Sequence, residues 1–216
     1  MVNVLYEDNH IIAVLKPAGI PVMKGKGDVS LAKQVKDYLK KKYKKKGNVF
    51  LGIVHRLDQP VSGVVLFGKT SKGASRLSEQ FRERELEKIY RAVLVGKLKR
   101  KKGILKSRIT KEGGNYFRAT ADPRGKEAEL EYRVVKEGDF NSLVEIRLGT
   151  GRFHQIRAQF AAIGHPVFGD AKYGSPAILP DRAVALHSSR ITFMAATGER
   201  KVELVASEPA YFRELL

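Results

Sequence analysis

The chain has 216 residues, 43% of them apolar and none of them cysteine. Forty-one lysines and arginines stand against 23 acidic residues, a formal charge of +18. The length suits one well-packed domain. Missing thiols exclude disulfides, thiol nucleophiles and thiolate metal ligands, and the charge calls for a polyanionic partner, nucleic acid or an anionic membrane surface.

In chain order, Val2–Tyr6 and His10–Lys16 are short apolar runs around the turn-like Glu7-Asp8-Asn9 and read as strands, possible partners in a hairpin. Lys24–Asp28, with two glycines, reads as a flexible loop. Ser30 is placed to cap a helix whose Leu31, Val35, Tyr38 and Leu39 fall at helical spacing and whose far end is the basic run Lys40–Lys46. Such a run is either a solvated helix end set favourably against the dipole or an RNA-phosphate contact. Val64–Phe67 is a short buried run, Ser71 opens a second helix through Ala74, Leu77 and Phe81, and Ile89–Val95 is a strand with Tyr90 near its start. Lys97–Lys102 is a second basic cluster, in a loop. Between 103 and 124 the pattern assigns no element. Ala128, Leu130, Tyr132 and Val134 alternate with charged neighbours, the mark of a half-buried strand, and Leu143–Leu148 is its partner beyond Gly138-Asp139. Phe153–Ile163 reads as a helix with Gly164 at its end. Ala183–His187, Ile191–Met194 and Lys201–Val205 read as strands before a short helix from Pro209. With no repeat and no linker, the expectation is one α+β domain over residues 1–216.

The chemistry concentrates at Gly52–Thr70, GIVHRLDQPVSGVVLFGKT. Pro60 removes a backbone donor and Gly63 is free to take a positive φ, so Asp58 sits on a turn that feeds a strand. By itself the pattern more often marks an aspartate that merely opens a turn. Elsewhere the sequence offers little catalytic machinery: the five histidines have no zinc-ligand spacing, and there is neither a phosphate-binding glycine loop nor a Gly-x-Ser-x-Gly elbow. No apolar run approaches the roughly 20 residues of a membrane span, and the first residues do not resemble a secretory signal. The Ser30–Lys46 helix has only a modest apolar face, which disfavours a membrane-surface role.

VHRLDQPVSGVVLFGKT, then RERELEKIYRAVLVG, then TGRFHQIRAQFAAIGHPVFGDAKYG resemble, in order and spacing, the RluA-type pseudouridine synthases; YEDNHIIAVLKPAGIPV and LHSSRITF add to the likeness. The resemblance implies the pseudouridine synthase catalytic fold, a mixed, mostly antiparallel bent sheet flanked by helices. It also implies isomerisation of uridine in ribosomal or transfer RNA without cofactor or metal. The match begins at residue 2, so the expectation is a catalytic domain without the accessory N-terminal module of some members, cytoplasmic and monomeric. Asp58 matches the catalytic aspartate, which either attacks the sugar or takes its 2′ proton. Arg157 matches the arginine that pairs with that aspartate, and Tyr90 the tyrosine that stacks on the uracil. Arg56 matches the residue that fills the space of the flipped base, or is an ion pair positioning Asp58; His55 buttresses the loop. Arg152 holds the turn or touches phosphate, and Lys41, Lys42, Lys44, Lys45, Lys99, Arg100 and Lys101 are the expected RNA contacts. Two departures stand out: Val61 where the family usually has Thr, and Met23-Lys24-Gly25 where Val-His-Pro is usual.

Overall fold

A computed structural model describes residues 2–23, 29–113 and 118–216; the expected loop at Lys24–Asp28 lies outside them. The first half of the chain forms β1 (Asn3–Glu7), β2 (Ile11–Lys16), α1 (Leu31–Lys42), β3 (Gly52–Ile53), β4 (Ser62–Gly68), α2 (Ser71–Glu83) and β5 (Glu87–Val95). There follow β6 (Lys102–Glu112), β7 (Arg118–Ala121), β8 (Lys126–Glu137), β9 (Asn141–Leu148) and α3 (Gln155–Ala162). β10 (Leu186–Met194), β11 (Lys201–Val205) and α4 (Tyr211–Glu214) complete the chain, with 3₁₀ turns at Ala171–Tyr173 and Pro180–Arg182. Every strand pair with a described register is antiparallel, and the class is α+β as expected.

The chain divides into two compact units: Met1–Glu87 with Ser189–Ala206, and Lys88–Ser188 with Ser207–Leu216. In the first, β2 pairs with β1 and with β4, from Ile11 opposite Gly68 to Lys16 opposite Gly63. Both faces of β2 and β4 are buried, so these strands are nearly continuous apolar runs. Their core includes Ile11, Ala13, Val64 and Leu66, joined by Leu77 of α2 and by Ile191 and Phe193 of β10. Burial of a side chain such as Leu77, fully hidden from solvent, stabilises by roughly 2 kcal/mol.

The helices start where the sequence signals them. Ser30 caps α1, its hydroxyl accepting from the Lys33 N–H at 3.2 Å. Ser71 is the first helical residue of α2, the cap itself being Thr70. At the entry to α2, Gly73 passes so close to β2 that a Cβ would stand 2.1 Å from the His10 carbonyl oxygen.

In the second unit, β5 pairs with β9, β9 with β8, β8 with β6 and β6 with β7. β6 and β7 occupy the stretch to which the sequence pattern assigns no element. Burial alternates along β6 from Lys102 to Ile109, but Ile104 stands on the exposed face and Gly103 and Ser107 on the covered one, which blurs the period-2 signal in the sequence. β10 is one strand of nine residues rather than two shorter ones. Ser188 and Ser189 break its apolar pattern yet are buried within it. α3 begins at Gln155, two residues later than its apolar spacing predicts, because His154 takes a left-handed conformation with φ 51°. No helix among the described residues is long and apolar enough to cross a membrane.

Candidate active site

Asp58 lies on the turn between β3 and β4, where its carbonyl accepts from the Val61 N–H at 3.1 Å. Gly63, at φ 125°, supplies the backbone conformation that lets the chain leave this turn as a strand. Asp58 is half-buried and Arg56 exposed. His55 buttresses the segment: its Nε2 accepts the Leu66 N–H at 2.9 Å, and its ring stacks on Phe81 at 4.6 Å. An acceptor nitrogen held by backbone cannot at the same time take a proton from substrate.

Lys16 is the group that sequence reasoning missed here. At the end of β2, opposite Gly63, it is 0% exposed. Its ammonium donates to the carbonyls of Pro17 (2.9 Å), Ile20 (2.7 Å) and Gln59 (2.9 Å). One buried cation thereby ties the loop after β2 to the residue next to Asp58. Burial lowers its pKa to about 8, with the negative charge of Asp58 acting in the opposite direction, so it stays protonated at neutral pH. Lys16→Met leaves those three carbonyls without their donor and is expected to lower unfolding free energy by about 3 kcal/mol. Urea denaturation at pH 7 checks this, and an unchanged midpoint would show the tie to be dispensable.

In the second unit, Tyr90 on β5 stands opposite Ile146 of β9, which stands opposite Tyr132 of β8. Directly opposed residues share a sheet face, and Tyr132 meets Phe160 of α3 edge-on at 5.5 Å. Tyr90, 8% exposed, is therefore on the face that α3 covers. From α3, Arg157 donates through Nε and Nη2 to the two carboxylate oxygens of Asp170 at 2.6 and 2.8 Å. Both side chains are almost fully buried, and the guanidinium lies 5.1 Å from the centre of the Tyr173 ring. Asp170 is the second functional residue missed from sequence; it fixes where Arg157 points.

His154 completes this cluster as a neutral group. Its ring stacks on Phe153 at 3.8 Å, and its Nδ1 is 2.9 Å from the Tyr173 hydroxyl, which itself accepts the Ala119 N–H at 2.7 Å. The hydroxyl proton is then available to Nδ1. Burial, aided by the charges of Arg157 and Lys172, lowers the His154 pKa to about 3. A depressed histidine stabilises the fold fully above its unfolded value of about 6.5; that stability is lost as pH falls from there toward 3. His154→Asn tolerates the left-handed backbone and is expected to flatten the fall in melting temperature between pH 6.5 and 4.5. An identical slope in both proteins would refute the assignment.

A family model described as RNA pseudouridylate synthase matches residues 10–162. The chain belongs to this family. By that membership it is an isomerase of RNA uridine to pseudouridine, of RluA type. An uncharacterized RNA pseudouridine synthase of Bacillus subtilis (strain 168) is 33% identical over 217 residues, spanning 99% of this chain and 70% of that protein. The ribosomal large subunit pseudouridine synthase C of Rickettsia bellii (strain RML369-C) is 34% identical over 216 residues, 98% of this chain and 70% of that one. The solved structure of Human RNA Pseudouridylate Synthase Domain Containing 4 has the same fold, with a TM-score of 0.81 at 22% identity over 99% of this chain and 91% of that chain.

The charged residues of this pseudouridine synthase fall into two groups. Lys42 is committed within the fold: with Lys69 and the hydroxyls of Tyr38 and Tyr43 it surrounds Glu7, whose carboxylate it meets at 2.7 Å. Burial alone would raise the Glu7 pKa, but the hydrogen bonds from Lys42, Lys69 and Tyr43 hold it at about 2. Lys101 is paired with Glu137, and Arg152 donates to the Glu127 carbonyl at 2.8 Å, tying the turn before α3 to β8. Lys41, Lys44, Lys45, Lys99 and Arg100 are exposed and in no ion pair among the described residues. Among the described residues no three His, Cys, Asp or Glu side chains cluster as a metal site would need.

Proposed function

We propose that this chain isomerises specific uridines of structured RNA, with Asp58 as the catalytic carboxylate and residues 1–216 working as one catalytic domain. The observation that carries the reading is Asp58 itself. It stands within the family's HRLD stretch, on a turn whose backbone the buried Lys16 ties down. In the reaction the bond from uracil N1 to the ribose C1′ breaks, the ring turns, and a bond from C5 to C1′ forms. The C5 proton leaves and N1 regains one, so no oxidant or cofactor is consumed. Asp58 acts as a carboxylate, either attacking C1′ or removing the 2′ proton, and Arg157 supplies a cation to the same chemistry. Tyr90 stacks on the uracil and assists proton departure from C5. The uridine leaves its stack at a cost of a few kcal/mol, and Arg56 fills the vacated place.

Ribosomal RNA is the favoured substrate class, because several relatives carry names of large-subunit ribosomal synthases. Transfer RNA is the other candidate. The test is tritium release from RNA labelled at uracil C5, with bulk transfer RNA and ribosomal transcripts offered in parallel. Release from the ribosomal pool is expected; tight, salt-sensitive binding without release from either pool would leave only an RNA-binding protein.

The exposed cations provide affinity rather than sequence choice. Replacing Lys41, Lys44 and Lys45 together by Gln is expected to weaken RNA binding and to shallow its salt dependence by about two to three phosphate contacts. Filter binding across a salt series reads this out, and an unchanged slope would make that helix end a solvated surface.

A further inference from the structure

Within the second unit, Phe140 stands out from the protein with 83% of its surface in solvent. It occupies the turn between β8 and β9, where small polar residues are the usual choice. The backbone on either side of it is held firmly. The Gly138 N–H donates to the Asn141 carbonyl at 2.9 Å, the Asp139 N–H to the Leu216 carbonyl at 3.1 Å, and the Asn141 amide to the Leu215 carbonyl at 2.7 Å. An exposed ring on a firm mount has little freedom left to lose on binding.

The neighbouring loop between β5 and β6 supplies charge. The Phe140 carbonyl accepts the Gly96 N–H at 2.9 Å, and the Ser142 hydroxyl donates to the Gly96 carbonyl at 2.9 Å. Leu98, 3% exposed, anchors the loop, and Lys101 pairs with Glu137 just before the turn. Lys97, Lys99, Arg100 and Lys102 remain, exposed and in no ion pair among the described residues. Against these four the turn itself offers one exposed carboxylate besides Glu137, that of Asp139. Lys102 also stands opposite Arg133 of β8, which is itself paired with Glu145. Like charges directly opposed are unfavourable, a cost that an anionic occupant relieves.

We infer that Phe140 and the Lys97–Lys102 loop form a landing site for an unpaired stretch of the RNA, the ring stacking on a base and the cations meeting the phosphates beside it. One planar ring among unpaired cations matches a chain that carries a flat face and a phosphate at every residue. A base inside a helix keeps both faces stacked, so the site takes single-stranded RNA. The stretch it holds is not the target nucleotide. Asn141, next to Phe140, is opposite Val95, and Val95 lies about 17 Å along β5 from Tyr90 at the rise of a strand. This inference rests on the proposed action on RNA and adds a contact for bases a few nucleotides away from the uridine.

The chain contains no tryptophan, so Phe140→Trp places a single fluorescent reporter at the site. Its emission is titrated with an eight-residue oligoadenylate and with an abasic ribose-phosphate chain of equal length and charge. The oligoadenylate is expected to quench it strongly and the abasic chain hardly at all. Phe140→Ala, at a side chain the fold does not bury, is expected to weaken oligoadenylate binding about tenfold, the scale of one stacked base, with its salt slope unchanged. Replacing Lys97, Lys99 and Arg100 together by Gln is expected to shallow that slope by about two, at about 0.7 per phosphate of a single strand. Equal quenching by the two chains, or affinity of Phe140→Ala within about twofold of wild type, overturns the site. Emission that shifts with protein concentration rather than with RNA makes Phe140 a contact between copies and also overturns it. Tritium release by wild type without base-dependent quenching sinks the landing site alone. Base-dependent quenching and a tenfold loss in Phe140→Ala, without tritium release from either RNA pool, support the site and sink the isomerase reading alone.

Discussion

Asp58→Asn is expected to abolish tritium release, by roughly 10⁴-fold or more, while the protein melts and binds RNA as wild type does. The amide has the size of the carboxylate but can neither attack C1′ nor accept a 2′ proton. The turn itself does not depend on the ionised side chain for its backbone bond, which joins the Asp58 carbonyl to the Val61 N–H. Losing one negative charge from a protein of +18 leaves its attraction for phosphate equal or slightly stronger. The informative measurement is therefore three readings on one variant: release, melting temperature and affinity. Release within tenfold of wild type would place the chemistry on another residue. Loss of release together with lost affinity or a lower melting temperature would make Asp58 a folding or binding residue rather than the reacting one.

The turn around Asp58 was legible because its cause is local. Proline and glycine restrict the backbone wherever they stand, and Gly63 does take the positive φ its position suggests. α1 was legible for the same reason, its cap and apolar spacing lying within one stretch. Lys16 was not, because a lysine at a strand end looks like any solvated residue. Only the antiparallel register, which sets it opposite Gly63, buries it among three carbonyls. Asp170 was hidden in the same way: it reads as part of a loop, and its partner is thirteen positions away on α3.

β6 is hard to read because Ile104 stands on its exposed face while Gly103 and Ser107 stand on the covered one, so residue type does not follow burial. β10 was seen as two pieces because serine is polar by type, whereas burial depends on what packs around it. Among the lysines, sequence alone cannot separate Lys42 from Lys41. They are neighbours, yet one reaches Glu7 and the other stands in solvent.

Asp170→Asn should remove both stability and turnover, and a compensating variant distinguishes the two effects. Arg157 and Asp170 are 5% and 1% exposed at their side chains, with two short parallel bonds between them. The amide keeps one acceptor but turns an NH₂ group toward a guanidinium N–H, and the buried cation loses the charge of Asp170. Breaking a buried pair in this way costs about 3–5 kcal/mol. If Asp170 only held the fold, restoring stability would restore turnover. Arg157→Met with Asp170→Leu replaces both ions by apolar groups of similar size, an exchange that is often neutral for stability. The double variant is expected to regain most of the melting temperature lost in Asp170→Asn, yet to release no tritium, because Arg157, which the proposal places in the chemistry, is gone. Asp170→Asn itself is expected to lower kcat by at least about 100-fold with little change in KM, as befits a residue that aims Arg157 and does not touch RNA. Turnover that returns with stability in the double variant would reduce the pair to a structural bond and remove Arg157 from the chemistry.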